Sequence, residues 1–382
     1  MNRILHINTE YSSKSLYKNL VYKLIDKVSH QIIYIPIRRK NETGNNSIEH
    51  KNLSFYYPYI LNFFLRIRYF RKIRKIFNDA DSKLDFSKID VIHSHTLFSS
   101  GGPTYLLNRK YQVPYIITLR NTDINIFFKY LFYLKPFSYK ILSNASRIIV
   151  ISPKYSEHLR HIIPKNVYND IENKIKNIPN GIDDFWFENL GGNRKKPSGE
   201  TKLLFVGELN RNKNIGSVIR LTEYLNSRGM PTKLIIVGDG PKKKKIIKKS
   251  RKNTNLVYYN RTDSKKQLLK IYREADIFIM PSIKETFGLV YGEAMSQGLP
   301  VIYTKGQGID GYFKDGIVGY SVEPKNITDI ATKIQLILND YENISTNCID
   351  KVQRFNWNHI AETYDEVYKE CIQGKELSVK KK

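Results

Sequence analysis

Residues 275–303 constrain this chain more than any other stretch. The apolar run Ala275-Asp-Ile-Phe-Ile-Met280 predicts a strand buried in a parallel sheet. Gly298-Leu-Pro300 marks a helix end, and Val301-Ile302-Tyr303 opens the next strand. Between the strands stand two carboxylates, Glu285 and Glu293, separated by a segment that begins Thr286-Phe287-Gly288-Leu289. Glu285 falls in the loop after a strand, Gly288 near a helix N-terminus, and Glu293 about two turns further on. Open α/β sheets bind ligands at the loops that follow their strands. Free N–H groups at a helix N-terminus suit an anion or a sugar hydroxyl. Two fixed acceptors beside such donors can hold a polyhydroxylated, phosphorylated molecule.

The same strand–helix alternation runs through the chain and predicts an α/β fold with parallel sheets. Candidate strands in the first half are residues 4–7, 32–35, 91–93, 115–119, 147–151 and 175–179. In the second half they are 203–206, 234–237, 256–259, 277–280, 301–303 and 319–322. Each set reads as a Rossmann-like domain, and 382 residues are too many for one ordinary core. The expected division is an N-terminal domain over 1–185 and a polar linker over 186–200. A second domain follows over 201–355, then a terminal helix with a frayed tail over 356–382.

Composition narrows the function classes. With 63 basic and 36 acidic residues the net charge is +27, which suits an anionic partner: nucleic acid, an anionic membrane or a phosphorylated substrate. A biased genome is the alternative source of such lysine-rich composition. No nucleic-acid-binding module is recognisable, so nucleic acid is not the expected partner. Two cysteines, Cys348 and Cys371, argue against a disulfide framework or zinc site and fit a reducing compartment. The first residues read as a strand rather than a signal peptide, and no stretch is apolar enough to span a membrane. Together these features suggest a cytoplasmic protein. Two stretches, 61–77 and 126–139, interleave aromatic and basic residues. Each suits either peripheral contact with an anionic membrane or an ordinary core-facing helix with a basic outer face. In the first stretch the cations are Arg66, Arg68, Arg71, Lys72, Arg74 and Lys75. The run at 242–252 reads as a solvated helix surface.

The 281–302 segment resembles the Glu-x7-Glu signature of retaining glycosyltransferases, especially glycosyltransferase family 4, and the resemblance extends along most of the chain. It implies the GT-B architecture, two Rossmann-like domains facing across a cleft. It also implies transfer of a hexose from a nucleotide diphosphate sugar, most simply a UDP-sugar, to a glycan or lipid-linked acceptor. A front-face displacement would retain configuration, with no cofactor and no metal. By the same resemblance Glu285 binds donor-sugar hydroxyls and Glu293 the ribose hydroxyls, and Thr286, Phe287, Gly288 and Leu289 line the sugar or phosphates. Val206-Gly-Glu-Leu-Asn-Arg211-Asn-Lys213 is similar to the family's diphosphate-binding segment. Lys213 matches its lysine, but Glu208 stands where the family has arginine, which leaves Arg211 as a replacement cation. Gly238-Asp-Gly-Pro241 matches a family turn and has no expected chemical role.

In the first half the family's glycine-glycine loop is replaced by Glu10-Tyr-Ser-Ser-Lys14-Ser15, so Lys14 and Ser15 become phosphate-site candidates. Asp90-Val-Ile-His93-Ser-His95 matches a family motif; His95 either lines the acceptor site or is structural. Where many members carry a donor-contacting histidine, this chain has Arg120-Asn-Thr-Asp123. Arg120 there suits phosphate or acceptor charge, and Asp123 a helix cap. No metal cluster is evident. Other GT-B enzymes, a nucleotide-sugar epimerase or a glycan phosphorylase, are the nearest alternatives.

Overall fold

A computed structural model of the chain describes residues 2–120 and 122–380, apart from the side chains of Arg66 and residues 375–380. The chain forms two compact units. Unit 1 comprises Met1–Ile151, Ser156–Asn180 and Trp357–Lys382; unit 2 comprises Ser152–Tyr155 and Gly181–Asn356.

Unit 1 is built on a seven-stranded parallel sheet. Its strands are β1 (Arg3–Ile7), β2 (His30–Tyr34), β3 (Leu53–Tyr56), β4 (Val91–Ser94), β5 (Tyr115–Leu119), β6 (Arg147–Val150) and β7 (Ile175–Asn177), in the order β3-β2-β1-β4-β5-β6-β7. In β1, Leu5 pairs with Ile32 on one side and Ile92 on the other and is fully buried. Helices cover the sheet, among them α1 (Ser15–Lys23), α2 (Tyr69–Lys83) and α3 (Gly101–Tyr111). The terminal helix Trp357–Lys380 joins this core: Trp357, Tyr364 and Tyr368 pack with Ile4, Leu20 and Val91. The tail that the sequence suggests is frayed lies outside the described side chains.

Unit 2 holds a six-stranded parallel sheet: β8 (Thr201–Val206), β9 (Thr232–Gly238), β10 (Leu256–Asn260), β11 (Ile277–Ile279), β12 (Val301–Thr304) and β13 (Gly319–Val322), in the order β10-β9-β8-β11-β12-β13. In both sheets the strand order reverses beside the first strand, between β1 and β4 and between β8 and β11. That reversal opens a crevice at the carboxyl ends of the strands, the usual ligand position in such sheets.

Two expectations change. β3 is a strand that the sequence reading leaves out. It is an edge strand with no fully buried residue, so it lacks the apolar run that marks its neighbours. Lys72 is not part of a basic outer face. On α2 the buried residues are Tyr69, Lys72, Ile73, Ile76 and Ala80, one inward stripe at helical spacing, and Lys72 is 6% exposed.

The expected linker begins inside a helix, Asp184–Glu188, and only residues 189–200 have no helix or strand; that stretch is tied to unit 2. The Arg194 guanidinium donates to the carbonyls of Gln297 at 2.7 Å and Tyr272 at 3.1 Å, and also bonds that of Ala275.

Candidate functional site

The loops after β8 and β11 meet at the switch point of unit 2. Asn212 bonds the second loop three times: Ile283 N–H donates to its carbonyl at 2.7 Å, Lys284 N–H to its Oδ1 at 3.1 Å, and its Nδ2 to the Lys284 carbonyl at 2.9 Å. Asn214, in a left-handed conformation, donates to the Pro281 carbonyl at 3.0 Å. Asn210 accepts the Lys213 N–H at 2.8 Å. These bonds carry Lys213 to Glu285, where Nζ and Oε2 stand 2.5 Å apart.

Glu285 is held from all sides. Its Oε1 accepts the Thr286 N–H at 3.1 Å, its own N–H donates to Gln307 Oε1 at 3.1 Å, and its carbonyl accepts from Gly308 N–H at 3.0 Å and Tyr155 Oη at 3.2 Å. Thr286 is half-buried, so its contribution here is a backbone amide. Phe287 is buried, its ring edge-on to Phe355 at 5.1 Å. Gly288 precedes the helix Leu289–Ser296 with φ +77°. A Cβ there would lie 2.5 Å from the Tyr291 ring, so glycine is required twice over. Leu289 is exposed at the helix start, where first-turn N–H groups point outward without intrahelical acceptors.

Glu293 faces a cavity of about 360 Å³ that also takes in Gly207, Glu208, Gly238, Arg261 and Thr262. Its Oε2 accepts from Tyr272 Oη at 3.0 Å. Burial pushes this carboxyl up to about 7; Asp183 adds to the rise, while the Tyr272 bond and Lys265 oppose it. Gly238 gives this wall its closeness: a Cβ would lie 2.0 Å from the Gly207 carbonyl oxygen. So the turn whose glycines suggested no chemical role shapes the cavity by backbone approach. Glu208 lines the cavity instead of the family's arginine. Arg211 is exposed and makes no side-chain bond or ion pair among the described residues.

In unit 1 the candidates fall into two groups. Lys14 and Ser15 lie exposed where α1 begins, and Lys14 Nζ is already paired with Glu10 Oε2 at 2.6 Å. His95 is buried, its Nε2 3.0 Å from His6 Nδ1, and its ring stacks on His93 at 4.0 Å. His6 was not singled out by the sequence, because a histidine inside an apolar strand carries no spacing signal. The ring nitrogens of His6, His93 and His95 lie within 4.8 Å of one another, a cluster not legible in the sequence. However, both His93 nitrogens are engaged, by Tyr368 Oη and Thr118 Oγ1, each at 2.8 Å. The trio is therefore a hydrogen-bonded stack with no lone pair to spare on His93. Burial pushes His6 down to about 3 and His93 and His95 well below their ordinary value, so all three are neutral.

Asp123 does not present a carboxylate to a ligand. Its oxygens accept the N–H groups of Leu97 and Phe98, each at 3.1 Å, and of Arg120 at 3.0 Å, which ties the β4 loop to the β5 loop. Burial raises its carboxyl to about 6 against those bonds. Arg120 is buried over the Tyr17 ring at 5.2 Å and donates from Nη1 to Asn180 Oδ1 at 2.8 Å.

Two family models match the chain: Glycosyltransferase Family 4 over residues 30–184, and Glycosyl transferases group 1 over 188–355. The chain belongs to the GT-B glycosyltransferases. Among relatives, this glycosyltransferase is 27% identical over 278 residues to the alpha-monoglucosyldiacylglycerol synthase of Acholeplasma laidlawii, covering 65% of this chain and 64% of that one. Among solved structures it is similar to sucrose-phosphate synthase from Thermosynechococcus elongatus (TM-score 0.76, 21% identity, 98% and 100% of the two chains). It is also similar to Anabaena HepE in complex with UDP (TM-score 0.69, 15% identity, 96% and 99%). At those identities the structural likeness speaks for the fold. The glycosyltransferase thus carries the expected pair of Rossmann-like domains.

Proposed function

We propose that this glycosyltransferase is a retaining hexosyltransferase that draws on a nucleotide diphosphate sugar, UDP-sugars favoured, and delivers to a glycan or lipid-linked acceptor. The observation that carries the reading is the Lys213–Glu285 pair on loops that adjoin the cavity faced by Glu293. The cavity takes the nucleoside, with the Glu293 carboxylate accepting from the ribose hydroxyls. Glu285 accepts from hydroxyls of the donor sugar. Lys213 and the helix start at Phe287–Leu289 stabilise negative charge on the departing phosphate. The acceptor oxygen bonds to the anomeric carbon on the face from which UDP leaves, the bond from that carbon to the phosphate oxygen breaks, and the acceptor's proton passes to the phosphate. UDP is supported by the fold shared with HepE, whose structure holds UDP. A lipid acceptor is supported by the relative that bears a glucosyldiacylglycerol synthase name. The test is a donor screen with product read by proton NMR. An α-linked donor is expected to give an α product, and a β product contradicts retention.

The acceptor reading extends to an anionic membrane surface. Phe64, Ile67 and Phe132 are 72%, 75% and 73% exposed, and Phe63, Ile126, Tyr130 and Tyr133 are exposed with them. The two stretches share one aromatic junction in unit 1: Phe137 lies 5.6 Å from Phe70 and 6.3 Å from Tyr69. Exposed Arg68, Arg71, Arg74 and Lys129 accompany them. Aromatic tips beside cations suit an interface of anionic lipid. Among the described residues, no helix is long and apolar enough to cross a membrane. The acting side of the enzyme is then the inner, cytoplasmic face.

A further inference from the structure

Unit 1 holds a cavity of about 650 Å³ at the end of α1, larger than the one that Glu293 faces in unit 2. It is lined by Tyr22, Asp26 and Lys27 from α1 and the turn after it, by Asn358 and Glu362 from the terminal helix, and by His50. Sheets of this kind bind ligands at the carboxyl ends of their strands, and this cavity lies at the other end. α1 starts beyond the carboxyl end of β1, and its nine residues carry the chain about 13 Å back toward the start of β2. The turn is pinned there: Ser29 donates to the Asn2 carbonyl from its N–H at 3.0 Å and from Oγ at 2.8 Å. The frame is fixed from within, because Leu24, Val28, Trp357 and Ile360 belong to one buried cluster. Lys27 Nζ and Glu362 Oε1 stand 3.5 Å apart and link the turn to the terminal helix.

The lining suits a neutral ligand rich in hydroxyls. In a chain of net charge +27 the charges here balance, Lys23 and Lys27 against Asp26 and Glu362, so the cavity is not built to attract an anion. A wholly apolar ligand would strip water from these groups and return no hydrogen bond. Donors and acceptors stand side by side. The exposed Asp26 carboxylate makes no hydrogen bond or ion pair among the described residues and accepts only. His50 Nδ1 accepts the Asn52 N–H at 3.2 Å, which leaves Nε2 to donate. A hydroxyl both donates and accepts, so neighbouring hydroxyls match such a lining. Tyr22 supplies an apolar platform. It is 56% exposed, and among the described residues its ring has no aromatic or cationic partner and its Oη no hydrogen bond. The C–H face of a pyranose packs on the face of such a ring.

We propose that this cavity is a second glycan-binding site, which holds neutral hexose units of the acceptor chain by stacking on Tyr22 and hydrogen bonding to Asp26. The proposal rests on the transferase reading above and narrows its acceptor to a glycan of several sugar units, since one unit held here does not reach the carboxyl ends of the strands. Tyr22 and Asp26 bind and do not catalyse. Holding the chain at a distance raises the effective concentration of its reacting end.

The test uses the full chain saturated with UDP, so that the donor site is filled. Maltohexaose, cellohexaose and mannohexaose are titrated by calorimetry into wild type, Tyr22→Ser and Asp26→Asn, with inorganic phosphate as the anionic control. Both residues are exposed, so melting and UDP affinity should be unchanged in the variants. The expected result is binding of at least one hexasaccharide to wild type, weaker by about tenfold in Tyr22→Ser, the scale of one ring contact. Asp26→Asn should also weaken it, because a neutral amide oxygen accepts less strongly than a carboxylate. No binding of any of the three hexasaccharides, equal binding by Tyr22→Ser, or phosphate binding that Tyr22→Ser weakens overturns the proposal. Failure to bind UDP speaks instead against the transferase reading, and the hexasaccharide titration is then decided without UDP.

Discussion

Lys213 Nζ lies 2.5 Å from Glu285 Oε2, and both side chains are largely withdrawn from water although 72 residues separate them in the chain. The pair therefore has a structural as well as a chemical part. Removing one partner of a shielded pair leaves the other charge uncompensated. Lys213→Ala should lower stability by about 1–3 kcal/mol while nearly abolishing turnover. Glu285→Gln should cost less stability and lower turnover by about 10², the scale of one preorganised contact. In Lys213→Met/Glu285→Gln the melting temperature should recover while activity stays lost. Additive losses of stability in the double variant would show that the two side chains do not interact.

Glu293 sets a pH dependence on nucleotide binding. Its carboxyl is raised to about 7, chiefly by burial, so near neutrality it is partly protonated. Ribose hydroxyls donate best to the ionised form, so binding lowers this pKa and releases a proton. UDP affinity should rise as pH climbs through 7 and level off above it, by about tenfold if the pKa falls by one unit. Titration calorimetry from pH 6 to 8 checks this. The rise should vanish in Glu293→Gln, and a step that survives in that variant belongs to another group.

The histidine stack makes unit 1 acid-sensitive. His6, His93 and His95 are held neutral by burial, with folded-state pKa values far below the unfolded value of 6.5. The unfolded chain then binds more protons below pH 6.5, so stability is level above that pH and falls beneath it. Three such groups weaken folding by on the order of 3 kcal/mol between pH 6.5 and 5.5. Chemical denaturation at both pH values measures the difference. A flat profile would mean that the histidines are hydrated.

Legibility divides along physical lines. All six strands of the second sheet were readable: the four inner ones are apolar runs, and the edge strands β10 and β13 each still carry a buried residue within the strand–helix alternation. β3 was not, being a half-exposed edge strand. Glu285 and Glu293 stood out by local spacing and Lys213 by its match to the family's diphosphate-binding segment, but the ion pair between Lys213 and Glu285 needs the β8 and β11 loops to meet. Asp123 drew notice as a polar residue after a strand, and only its three amide bonds reveal a positioning role. Lys72 was misread as outward-facing because its charge was weighed above its place in the 69, 72, 73, 76 stripe, which the sequence already contains.

The aromatic face predicts lipid dependence. Each basic residue near an anionic surface adds about 1 kcal/mol of salt-screened attraction, and the exposed rings add insertion energy. Co-sedimentation should require anionic lipid and weaken at high salt. Arg68→Gln with Arg71→Gln and Arg74→Gln, or Phe64→Ser with Phe132→Ser, should release the protein while UDP binding persists. Lys72 is excluded from this set by its burial. Indifference to anionic vesicles at low salt would contradict a membrane role for this face.

The central claim is that unit 2 holds a nucleotide sugar through Glu285 and Lys213 and breaks its bond to the phosphate. The most direct test is UDP release from a panel of UDP-hexoses, measured for wild type, Glu285→Gln and Lys213→Ala with UDP binding followed in parallel. The predicted result is release from at least one donor, a rate lower by about 10² in Glu285→Gln, and near-complete loss in Lys213→Ala. Equal rates in all three proteins, or no binding and no release by wild type with any donor, would contradict the claim.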